Sequence, residues 1–164
     1  MRVYLPATID MLKKATADGR FTPVSGTGFA LTPALRESYT SGSTEELEYV
    51  ALTDAARASL RLLGAEDEGA LPRRVVVSVD VDEATPRPDL DPAVVRLPGA
   101  VELDAIAAVH VDTEEAEDAV RAAAAVIDAA DLGDEDAEFA LGDAEDHELA
   151  WYAPQELPFL LELL

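Results

Sequence analysis

The segment RRVVVSVDVD, residues 73–82, restricts this chain more than any other stretch. Val75, Val77, Val79 and Val81 alternate with Val76, Ser78, Asp80 and Asp82, the two-residue period of a strand with one dry face and one that turns polar toward its end. Such a strand needs neighbours. AIAAVHV (105–111) reads as a second buried strand. RVYL (2–5), closed by Pro6, and the stretch 148–153, ending at Pro154, supply two more, because proline cannot donate the next ladder hydrogen bond.

Two long helices are spaced between these strands. Ser43 and Glu46 form a capping box, and residues 45–63 contain neither Gly nor Pro. Leu47, Val50, Ala51, Ala55, Ala58 and Leu62 give that helix an apolar stripe, and Gly64 is its expected stop. Asp112 and Glu115 are the expected capping pair of a second helix reaching about residue 130. Its inner face, Ala116, Ala119, Val120, Ala123 and Ile127, is small enough to approach a sheet closely. Shorter helices are expected at 9–17, between Thr8 and Gly19, after Thr32-Pro33, and at 155–164.

In order, these elements spell β-α-β-β-α-β. That order predicts a ferredoxin-like α+β domain, with strand order 4-1-3-2 and both long helices on one face of an antiparallel sheet. The 164 residues read as one domain. Residues 8–42 are then a helical insert, 83–104 a proline-rich connection with an edge segment at 94–97, and 131–147 an acidic loop.

The chain carries 34 Asp and Glu against 12 Lys and Arg, a net charge of −22, and the residues after Arg96 hold 19 of the acids with Arg121 as their only base. A phosphate backbone requires clustered cations, so nucleic acid is an unsuitable partner. Charges and prolines break every apolar run before membrane-spanning length. Without cysteine there is no disulfide, thiol nucleophile or thiolate zinc site. The opening MRVYLPATIDMLKK lacks the parts of a signal peptide, which makes a cytoplasmic location the expectation.

No catalytic constellation stands out. His110 lies on a predicted strand with Ile106 and Ala108 on its face, and antiparallel pairing would put Asp80 and Asp82 near residue 105, at the far end from it. Residues 134–145 approach a calcium loop but place Phe139 where the turn needs glycine and Gly142 where an oxygen ligand belongs. SGTGF (25–29) lacks the rest of a phosphate-binding motif. Neither a metal nor a cofactor is implied. Tyr4, Trp151 and Tyr152 fall on strands that a ferredoxin-like order makes neighbours, so Tyr4, Asp80, Asp82, His110, Trp151 and Tyr152 form the candidate ligand-binding set. PFLLELL (158–164) is apolar enough to require cover, from its own sheet or from a second copy.

These features describe a non-enzymatic binding domain for a protein partner or small ligand, or a homodimer. The alternatives are a small enzyme with a cleft beside the sheet and an acidic decoy that binds a basic protein. The opening MRVYLPAT, TPALRESY, EELEYVALTDAARASLRLL, RRVVVSVDV and the ending ELAWYAPQELPFLL together resemble an uncharacterised family of small acidic actinobacterial proteins. The resemblance spans nearly the whole chain and implies a bacterial, cytoplasmic origin. It brings no activity or catalytic residue with it.

Overall fold

A computed structural model describes residues 1–67 and 69–164. The elements are β1 (Arg2–Ala7), α1 (Ile9–Asp18), β2 (Arg20–Phe21), β3 (Thr27–Phe29), α2 (Pro33–Glu37), α3 (Thr44–Ala65), β4 (Val75–Asp80), β5 (Thr85–Pro86), β6 (Val94–Arg96), β7 (Val101–Glu102), β8 (Ile106–Val111), α4 (Glu117–Asp131), α5 (Glu135–Glu145), β9 (Ala150–Tyr152) and α6 (Leu157–Leu163). The class is mixed α and β, and every strand pairing is antiparallel.

The main sheet has the order β5-β6-β3-β1-β4-β8-β9, with β2 and β7 forming a separate pair. The four expected strands therefore lie side by side in chain order, β1-β4-β8-β9, and not in the ferredoxin-like order 4-1-3-2. The cause lies in the supposed insert. Within 8–42, β3 adds to the free side of β1, with Tyr4 opposite Phe29, and so occupies the place a ferredoxin-like fold gives its last strand. Residues 83–104 likewise contribute β5 and β6, so Val94–Arg96 is an interior strand and not an edge. Gly28 makes this addition feasible. A Cβ there would come within 2.5 Å of Val3 Cγ1 and 2.8 Å of Leu5 Cδ2. β1 also continues through Pro6 to Ala7, because β3 pairs with β1 only at Tyr4 and a missing N–H beyond that point costs no ladder bond on that side.

Alternation divides the sheet into two buried faces. Val3, Leu5, Val75, Val77, Val79, Val109 and Val111 point to one side and pack with Ile9, Leu12, Leu157 and Leu160 from α1 and α6. Tyr4, Phe29 and Val76 point to the other and pack with Ala51, Ala55 and Ala56 of α3. Helices thus cover both faces, contrary to the one-face expectation. Ser59 joins α3 to the strand ends: its hydroxyl donates to the Ala7 carbonyl at 2.7 Å and accepts from the Val75 amide at 3.1 Å. The C-terminal stretch divides similarly, with Leu157 and Leu160 docked on the sheet and Phe159 and Leu163 outward.

α4 packs on helices, not on the sheet. Val120, Ala123 and Ile127 meet Leu60 and Leu63 of α3 and Ala137, Leu141 and Ala144 of α5. Its alanines serve close helix–helix contact, and so does Gly64, which lies inside α3 and does not end it. A Cβ at Gly64 would sit 2.9 Å from the Ala124 carbonyl oxygen. The expected acidic loop is largely α5, capped by Asp134 through its carboxylate to the Ala137 amide at 2.8 Å. Charge density hid the Ala137, Leu141, Ala144 spacing that buries one side of this helix. Arg57 of α3 bonds Asp131 and Glu138, and Arg61 bonds Asp131, clamping α4 and α5 onto α3.

Asp112 is not a helix cap. It is 1 % exposed, and its carboxylate accepts from Nε, Nη2 and the backbone amide of Arg74, each at 2.8 Å. Asp112→Ala should lower unfolding stability by about 3–5 kcal/mol, since Arg74 would remain charged and buried without its partner. Urea unfolding measures this, and Arg74→Met combined with Asp112→Leu should recover only part of the loss, because the backbone amide of residue 74 stays without its acceptor.

Candidate functional site

α3 and the β8–β9 edge diverge to leave a cleft of about 260 Å³. Tyr49, Leu52 and Ala56 of α3 form one wall, Trp151 of β9 the other, and His110 of β8 lies between them. Glu145 at the end of α5 and Glu148 in the turn into β9 close one end. Register explains the placement: His110 pairs with Val76 on one side and Trp151 on the other, so all three point to the α3 face. α3 covers Val76 completely and leaves Trp151 60 % exposed, with Tyr49 58 % exposed beyond it.

His110 Nε2 lies 2.8 Å from Ser78 Oγ. Ser78 is 1 % exposed and has no other hydrogen-bond partner among the described residues. A buried hydroxyl must place its proton, so Ser78 donates to Nε2 and the ring proton sits on Nδ1. Nδ1 has no protein partner, yet the only buried, unpartnered side-chain nitrogen or oxygen among the described residues is Arg96 Nε. Nδ1 therefore opens on the cleft as an N–H donor. Burial, reinforced by the positive charge of Arg2, lowers the His110 pKa to about 4, which keeps the ring neutral at ordinary pH.

The two arginines lining the cleft are already matched. Arg57 bonds Asp131 and Glu138 and approaches Glu145 at 4.0 Å. Arg74 is bound to Asp112 and donates to the His147 carbonyl at 2.8 Å, holding the rim turn against the sheet. Glu148 has no ion pair among the described residues, which leaves the rim negative. Among those residues no group of three or more His, Asp or Glu side chains is placed to hold a metal ion, and no helix is long and apolar enough to cross a membrane.

Of the six residues singled out from the sequence, the cleft brings together His110 and Trp151. Tyr4 shares their face but is enclosed under α3, where burial and then the Glu48 carboxylate raise its pKa. Asp80 is at the other end of β4, bonded by Arg2 at 2.7 Å, and that bond lowers its pKa. Asp82 is exposed beyond the strand. Tyr152 points to the opposite face and packs against the α1–α6 core. β1 and β9 are separated by β4 and β8, so the expected aromatic neighbourhood of Tyr4 and Trp151 does not form. The irregularity between Ser78 and Val79 also sends Ile106 to the core face, away from His110. Tyr49, Glu145 and Glu148 carried no sequence signal for this site, because only packing of α3 and α5 brings them to β9.

A histidine with a lowered folded-state pKa stabilises the fold above its unfolded value near 6.5 and loses that contribution as pH falls toward 4. The ring should therefore titrate near 4 by NMR, and His110→Gln should abolish the part of the stability loss between pH 6.5 and 4 that this ring contributes. Imidazole ¹⁵N shifts should show protonated Nδ1 in the native chain and a mixture of tautomers in Ser78→Ala.

Comparison with curated proteins and with solved structures returned no match. A protein-family model covers residues 1–161, which include every strand of the sheet and every residue that lines the cleft. The chain belongs to the family of unknown function DUF6912.

Proposed function

We propose that this chain is a binding domain that takes a cationic group of a basic partner into the cleft between α3 and β8–β9. The observation that carries this reading is the pairing of two exposed aromatics, Tyr49 and Trp151, with a carboxylate rim from Glu145 and Glu148. Aromatic faces attract a cation through their quadrupole, and Glu148, which has no ion pair among the described residues, adds direct charge attraction beside Glu145, which Arg57 approaches at 4.0 Å. A guanidinium or ammonium on an apolar stem matches both. The neutral Nδ1–H of His110 adds one donor for a carbonyl of the same ligand.

The Ser78–His110 pair supports binding over hydrolysis. In a catalytic pair the serine faces substrate and a carboxylate orients the far ring nitrogen. Here Ser78 is enclosed and Nδ1 faces the cleft, the reverse arrangement. The ordered carboxylates of α5 also favour a basic partner, since a helix presents them at fixed spacing.

Trp151 is the only tryptophan, so its emission reports on this site directly. Titration with arginine amide acetylated at its α-amine should shift that emission saturably, while the isosteric neutral citrulline amide and the anionic glutamate amide, acetylated likewise, should have little effect. Tyr49→Ala and Glu148→Gln should each weaken the arginine amide several-fold, and added salt should weaken it further. Equal response to the neutral or anionic amide would overturn the reading.

A further inference from the structure

We propose that the basic partner is a protein segment in extended conformation, which pairs with the free edge of β9 and sends a cationic side chain into the cleft. This rests on the reading of the cleft as a cation site and specifies how the ligand is held. β9 is the last strand of the sheet and bonds only to β8 among the described residues, through Ala150, Trp151 and Tyr152. Its other side offers backbone groups that a further strand can use.

The two sheet edges differ in how they are protected. β5, at the opposite end, has two residues and contains Pro86, which cannot donate to a ladder. β9 contains no proline or charge and carries an exposed tryptophan at its centre. Edges are usually blunted by shortness, proline, lysine or an inward-pointing charge, and Ala150–Tyr152, though only three residues long, has none of the other three.

Side-chain parity joins this edge to the cleft. Residues opposite one another in a ladder share a face, so a partner residue opposite Trp151 projects to the α3 face alongside Trp151, and a long side chain there reaches the cleft by crossing the exposed indole. Its neighbours project to the other face. A segment alternating cationic and apolar residues fits this arrangement. Charge complementarity favours the same partner: residues 122–164 contain no Lys or Arg, and Glu145, Asp146 and Glu148 immediately precede β9.

The test uses the full-length ¹⁵N-labelled protein and an acetylated, amidated hexapeptide alternating Arg and Val. Two further versions carry backbone N-methyl groups, one on the Arg residues and one on the Val residues, since alternate amides face opposite edges of a strand. The parent peptide should shift Trp151 emission saturably and slow amide exchange within residues 150–152. One methylated series should lose about tenfold or more in affinity, and the other should bind nearly as well as the parent. If both methylated series bind like the parent and exchange at β9 is unchanged, pairing with the edge is overturned while the cation site stands. If neither the peptide nor arginine amide perturbs Trp151, both readings fall. Tighter binding of the corresponding Glu-Val peptide would overturn both as well.

Discussion

The buried ion pair between Arg74 and Asp112 ties the architecture together. It fastens the start of β4 to the end of β8, where the Asp112 amide also donates to the Arg74 carbonyl at 3.1 Å. Two charges removed from water are tolerable only when their hydrogen bonds are met, and here the carboxylate accepts three donors while the guanidinium also reaches the His147 carbonyl. That last bond anchors the turn after α5. The turn carries Glu148 and leads into β9, so the same pair that registers the central strands positions the cleft's rim and its outer wall.

Around this anchor the sheet works as a two-sided partition. Its α1–α6 face is filled almost entirely by aliphatic side chains, whereas the α3 face combines small helix residues with Tyr4, Ser78, His110 and Trp151. Alanine at 51, 55 and 56 lets α3 lie close to β1 and β4, and the helix then diverges from β8 and β9. The cleft is the consequence of that divergence. Its polar members are partly spoken for: Ser78 holds one nitrogen of His110, and Asp131 and Glu138 hold Arg57. The groups left open are an N–H donor, two aromatic faces and the Glu148 carboxylate.

Much of the local structure was legible in the sequence. The α1 cap at Thr8 with its left-handed stop at Gly19, the Ser43–Glu46 capping box, and strands at 75–80 and 106–111 follow from short-range chemistry that acts within a few residues. The site was less accessible. Alternation singles out His110, Asp80 and Asp82, and an assumed strand order adds Tyr4, Trp151 and Tyr152; only His110 and Trp151 meet in the cleft. α5 was obscured because eleven residues rich in Asp and Glu resemble a solvated loop until the Arg57 and Arg61 clamps on its neighbours are seen.

The amino-acid order alone determined the two long helices and the four strands it marks, the antiparallel α+β character, and the concentration of negative charge after Arg96. Tertiary structure decided which strands are neighbours, that α4 rests on helices, and which six or so side chains converge beside β9. The reason is the range of the forces. Capping, alternation and turn chemistry are written in adjacent residues, whereas strand order depends on non-local contacts such as Gly28 against Val3 and Leu5, and Arg74 against Asp112, whose partners lie tens of residues apart. The valine strand that most constrains the chain shows this division: its alternation announced a two-faced strand, and only the folded sheet revealed that both faces are covered and that Ser78, on the polar face, sets the tautomer of the histidine in the cleft.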